Sequence, residues 1–105
     1  MSTWLDTRPA QSVSDAVEAI VQAAQTQTDH RAVEAIRYSG GDARFALWLY
    51  LIDQRISRRY GLSLWDLEDW MSRDAYDAGM SPAEGAREAM GNDDIGAEML
   101  AEMEG

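Results

Sequence analysis

The stretch from Asp42 to Tyr60, DARFALWLYLIDQRISRRY, is the one segment both apolar enough and long enough for the rest of the chain to pack around. Phe45, Trp48, Leu49, Ile52 and Ile56 recur at the i, i+3, i+4, i+7, i+11 spacing of a single helical face, and Leu47, Tyr50 and Leu51 widen it. The spacing predicts a central helix near residues 42–60. An apolar face this broad needs cover on several sides, so the flanking segments must supply it.

The flanks read as short helices divided by cap residues. Residues 1–11 form an irregular lead-in, with Trp4 folding back as an anchor. A helix is expected from Ser12, its hydroxyl capping the first turn and Asp15 standing at the N3 position. Val13, Val17, Ile20, Val21 and Ala24 give it an apolar stripe, which fades in Gln25 to Thr28. Asp29 then caps a second helix carrying Val33 and Ile36, ended by Gly40 and Gly41. After the central helix, Gly61 is suited to a left-handed cap, and Ser63 to Asp66 opens a short helix bearing Leu64, Leu67 and Met71. Ser72 caps the turns of RDAYDA, which stop at Gly79. Ser81, Pro82 and Glu84 are an N-cap, an N1 proline and a capping-box glutamate in sequence, predicting a helix from Pro82 to Met90 ended by Gly91. Asn92 or Asp93 caps a last helix with Ile95, Met99, Leu100 and Met103 on one side. Period-two alternation is absent. The expected fold is all-α, a compact bundle of about five to six short helices in a single domain spanning 1–105.

Composition removes several kinds of chemistry. The chain has no cysteine, and its nine basic residues are all arginine, so neither a thiolate nor a lysine nucleophile is available. The N-terminus lacks the basic and apolar regions of a leader peptide, and the run Phe45 to Ile52 is too short to span a bilayer. A cytoplasmic protein is expected. Charge is divided sharply: residues 1–60 balance seven acids with seven arginines, whereas 61–105 hold twelve acids against Arg73 and Arg87. The whole net charge of −10 therefore lies in the second part, 61–105. Such a polyanion suits a basic protein surface and disfavours direct contact with nucleic acid or anionic membrane.

The candidate binding residues follow from that division. Asp66, Glu68, Asp69, Asp74, Asp77, Asp93, Asp94 and Glu98 form the acidic face, and Trp65 and Trp70 are its candidate apolar anchors, accompanied by five of the six methionines. Core filling is the alternative for these apolar residues. His30, at a helix start among polar residues, reads as solvated rather than catalytic. Arg55, Arg58 and Arg59 complement the end of the central helix and have the acidic half as pairing partners. No cofactor or metal is expected, because the carboxylates lack calcium-loop or His-carboxylate spacing.

These features predict a non-enzymatic binding protein whose acidic half engages a basic, nucleic-acid-binding surface on a partner. A small homodimeric regulatory protein is one alternative, and a metal-dependent enzyme built on clustered carboxylates is another. In Asp66, Glu68, Asp69, Asp74, Asp77, Asp93, Asp94 and Glu98 the chain resembles the small acidic proteins of phages and mobile elements that inhibit host defence, the anti-CRISPR and anti-restriction proteins. Its segment DAYDAGMSPAEGAREAM also looks like pieces of phage and actinobacterial proteins. The resemblance implies a DNA-mimic type of inhibitor acting in the cytoplasm of a host cell, as a monomer or a homodimer.

Overall fold

In the computed structural model, which describes residues 3–67 and 70–92, the described residues are helical and include no strand. A 3-10 turn at Trp4–Thr7 leads into α1 (Ala10–Gln25), α2 (His30–Tyr38) and α3 (Ala43–Tyr60). A second 3-10 turn at Leu64–Asp66 precedes α4 (Ser72–Asp77) and α5 (Pro82–Asn92). The predicted last helix, from Asn92 or Asp93 onward, lies outside the described residues beyond Asn92.

α3 is the expected organiser. Asp42 caps it by accepting the Phe45 N–H at 3.2 Å, and Gly61 ends it in the left-handed region at φ 71°. Burial raises the carboxyl pKa of Asp42, but the Phe45 N–H and the Arg73 guanidinium outweigh this and hold it below its ordinary value. Phe45, Trp48, Leu49, Ile52 and Ile56 are all buried, and α1, α2, α4, α5 and the second 3-10 turn pack around them. Residues of this size contribute roughly 1.5–3 kcal/mol each when fully buried. The α3 face alone therefore supplies a large share of the driving force.

Local differences from the expected pattern have identifiable causes. α1 starts at Ala10 rather than at Ser12, because Pro9 sits at the cap with φ −55° and its carbonyl accepts the Val13 N–H at 3.1 Å. The proline ring presets a helix-compatible φ, so the Ser12 hydroxyl has no capping task. Trp4 folds back onto the core from its own 3-10 turn, which Asp6 closes by accepting the Thr3 N–H at 2.9 Å. Met71, expected on the apolar side of a helix, is 74% exposed. The segment bearing Leu64 and Leu67 makes one 3-10 turn and leaves it in extended backbone at Leu67. Ser72 does not cap α4; it lies buried inside the first turn, and Met71 takes the cap position without a side-chain bond. Gly91 does not end α5, which continues to Asn92. The Ser81–Glu84 capping box forms as expected, with Ser81 N–H donating to Glu84 at 3.1 Å and Glu84 N–H to Ser81 at 3.2 Å.

One carboxylate lies inside the apolar face. Asp53 is fully buried, accepts from Arg31 at 2.6 Å, from the Ser63 hydroxyl at 3.0 Å and from the Leu64 N–H at 2.8 Å. Arg31 also donates to the Ser57 hydroxyl at 3.0 Å, and its bond to Asp53 raises its pKa. The network joins α2, α3 and the second 3-10 turn at one point.

A second cross-link carries a pH dependence. The Tyr50 phenol donates to the Asp29 carboxylate at 2.5 Å, and that bond raises the phenol pKa above its ordinary value near 10. The unfolded phenol then loses its proton first, so the stabilisation is complete below about pH 10 and declines as pH rises through the folded value. Chemical unfolding across alkaline pH is expected to show a steeper stability loss in the native chain than in Tyr50→Phe; parallel curves would remove Tyr50 as the cause.

Candidate functional site

The short α4, the link that follows it and the second half of α5 bring together an apolar hollow with an acidic rim. Trp70 and Met71 precede α4, Asp74 stands on it, Met80 lies in the link to α5, and Glu88 comes from α5. Together they line an open surface hollow of about 350 Å³. Its floor is fixed to the core. The Trp70 ring stacks against Trp48 at 6.0 Å, and the Met80 carbonyl accepts the Trp48 indole N–H at 2.9 Å. Its rim is exposed: Met71, Asp74 and Glu88 all face solvent.

A hollow of this composition can take the aliphatic stem of a lysine or arginine against Trp70 and the methionines while a carboxylate meets the cation. Methionine adapts to differing shapes, and tryptophan supplies a rigid, large contact area. Asp74 and Trp70 are thus brought to one place with Met71 and Met80, two of the methionines expected beside them, and with Glu88, which is not among the expected acidic residues. The signal for Glu88 was present only as helix spacing on α5.

The remaining predicted residues are distributed differently. Asp66 is exposed in the second 3-10 turn. Asp77 is exposed on α4 and lies 3.4 Å from Arg73, whose guanidinium also donates to Asp42 at 2.9 Å. Arg73 lies over the Phe45 and Tyr76 rings at 5.0 and 5.5 Å, and the Asp42 bond raises its pKa. This engagement reduces the charge that Asp77 can offer to a partner. Trp65 is half-buried, with its ring 5.5 Å from Tyr38, and its indole N–H is buried with no acceptor among the described residues. Glu68, Asp69, Asp93, Asp94 and Glu98 lie outside the described residues.

His30 is 84% exposed on the first turn of α2, 3.8 Å from Glu34. Among the described residues no three histidine or acidic side chains converge as metal ligands, and no helix is long and apolar enough to cross a membrane. Arg55, Arg58 and Arg59 were expected to pair with the acidic half. Among the described residues none of them has a carboxylate within 4 Å.

The chain is similar to two phage proteins, the Gene 87 proteins of Mycobacterium phage L5 and Mycobacterium phage D29. Each is 35% identical over 49 residues, which is 47% of this chain and 92% and 91% of the respective relatives. The match thus takes in nearly all of each relative and about half of this chain. No protein-family model and no solved structure matches it.

Proposed function

This chain belongs to the family of the mycobacteriophage Gene 87 proteins, and we propose from its own surface that it is a non-enzymatic binding protein directed at a basic surface of a host protein. The observation that carries the reading is the hollow formed by Trp70, Met71 and Met80 between Asp74 and Glu88. Its apolar floor is held by Trp48, so a basic side chain would meet a preformed seat and little ordering cost would oppose binding. Asp66 adds charge to the same half of the chain, and Asp77 adds what its engagement by Arg73 leaves. Asp74 and Asp77 stand three residues apart on α4, a spacing that places side chains about 5–6 Å apart on one helix side. Duplex DNA carries a charge about every 1.7 Å of its axis, so carboxylates at this spacing on a helix offer a sparser version of the array that nucleic-acid-binding proteins recognise. In a phage protein this suits inhibition of a host defence complex, of the anti-CRISPR or anti-restriction kind, in the host cytoplasm.

The test is capture of partners from a mycobacterial lysate at about 50 and 500 mM salt, with the native chain beside Asp74→Lys/Glu88→Lys. A specific basic partner is expected at low salt, released at high salt and lost by the variant, which should melt at the native temperature because both positions are exposed. Retention of the same partner by the variant would refute the reading.

A further inference from the structure

A groove on α3 runs against the charge of the whole molecule. Two adjoining cavities, of about 590 and 120 Å³, share Arg55, Arg59 and Ala83. Arg58 and Trp4 line the larger one, and Tyr60 and Arg87 the smaller. Four of the nine basic residues therefore border one groove, and among the described residues no carboxylate lines either cavity, in a chain whose net charge is −10.

Arg55, Arg58 and Arg59 are exposed and project from the last turns of α3 at i, i+3 and i+4. That spacing sets neighbouring side chains about 5–6 Å apart at their bases, near enough for their guanidinium groups to converge on one multiply charged anion. No carboxylate among the described residues lies within 4 Å of any of them, and their mutual repulsion favours a shared anion. Guanidinium groups match phosphate oxygens in geometry as well as charge. The opposite wall is the start of α5, at Ser81, Pro82 and Ala83, where a helix dipole adds positive potential. Among the described residues, the carbonyl end of α3 and the Glu84 carboxylate oppose an anion. Glu84 is turned to its own cap, where it accepts the Ser81 N–H, a bond that lowers its pKa. Trp4, with the Arg8 guanidinium 5.1 Å from its ring, and Leu51 supply the apolar wall.

We propose that this groove binds a nucleoside polyphosphate, its phosphates on Arg55, Arg58 and Arg59 and its base against Trp4. The larger cavity has the size of a small-ligand site. A nucleotide also stays near the arginines, whereas a longer strand extends beyond the Debye length, about 8 Å at physiological salt, over a strongly acidic molecule. The site is separate from the hollow between Asp74 and Glu88, and its test is independent of partner capture.

Titration calorimetry of the full chain at low salt tests it with ATP, GTP, pyrophosphate, a short oligothymidylate and polyglutamate. ATP or GTP is expected to bind, and pyrophosphate at least tenfold more weakly for want of the base. Arg58→Gln/Arg59→Gln should weaken ATP binding about 100-fold, about tenfold for each charged contact, with an unchanged melting curve. Absence of heat from both nucleotides, or equal binding by the variant, would overturn the site. Tighter binding of oligothymidylate or polyglutamate than of ATP would overturn the ligand class, and pyrophosphate binding as tightly as ATP would remove Trp4 from the site.

Discussion

Asp53→Ala is expected to cost about 3–5 kcal/mol of stability, the range for breaking a buried ion pair by removing one partner. Asp53 is fully buried and satisfies three donors at once, so its loss strands the Leu64 N–H and the Ser63 hydroxyl as well as Arg31. Arg31 is 40% exposed and can turn part of its charge to water, which places the cost at the low end, about 3 kcal/mol. For a domain of this size that corresponds to a fall in melting temperature of at least about 12 °C. Asp53→Asn keeps an acceptor for Leu64 and should cost less, and Ser63→Ala should cost about 1 kcal/mol, the worth of one hydrogen bond. Urea unfolding of the three variants checks the order Ala, Asn, Ser63→Ala. An Asp53→Ala midpoint within error of the native one would mean that the network contributes no net stability.

Gly85→Val is the second large effect, at about 3 kcal/mol or more, because α3 and α5 touch where glycine has no side chain. A Cβ at Gly85 would lie 2.7 Å from Ile52 Cδ1 and 2.9 Å from Trp48 Cζ2. The Ile52 methyl can swing away, but the Trp48 ring is fully buried and tied to Met80, so the helices themselves must separate. Gly85→Ala sets a gain of about 1 kcal/mol in helix propensity against an overpacking cost of about 1–3 kcal/mol, for a smaller net loss. Ile52→Val removes the nearer of the two contacts. In a double-mutant cycle read by thermal unfolding, Gly85→Ala should therefore be less harmful in the Ile52→Val background. Additive costs would place the obstruction elsewhere.

The parts of the fold that sequence spacing expressed are those decided within a turn or two of chain. Asp42 and Gly61 bracket α3, Asp29 opens α2 by accepting the Arg31 N–H, and Ser81 with Glu84 opens α5; each depends on groups a few residues apart. The stretch from Leu64 to Leu67 departs from the expected helix because a distant group decides it. Asp53 takes the Leu64 N–H and the Ser63 hydroxyl, and the chain leaves the 3-10 turn instead of continuing as a helix. Asp53 lies within the apolar spacing of α3, but its partner Arg31 is 22 residues earlier, beyond any local pattern. The acidic character of the second half was plain in the charge count. That Asp74 and Glu88 would flank Trp70, and that Asp77 would be engaged by Arg73, depended on how α4 and α5 meet. The arginine groove was hidden for the same reason, since Trp4 and Ala83 reach it from opposite ends of the described chain.

The Trp48 indole divides the hollow beside it into two parts with different evolutionary freedom. Trp70 stacks on that ring and Met80 packs against the same core, so a change of shape there is judged first by whether the protein still folds. Met71, Asp74 and Glu88 stand clear of the core and can be exchanged at little cost to folding. On the proposed function, variation among related phages should accumulate at these three positions as the partner's surface changes, while the tryptophan floor stays constant. The seat would then be inherited and the fit renegotiated.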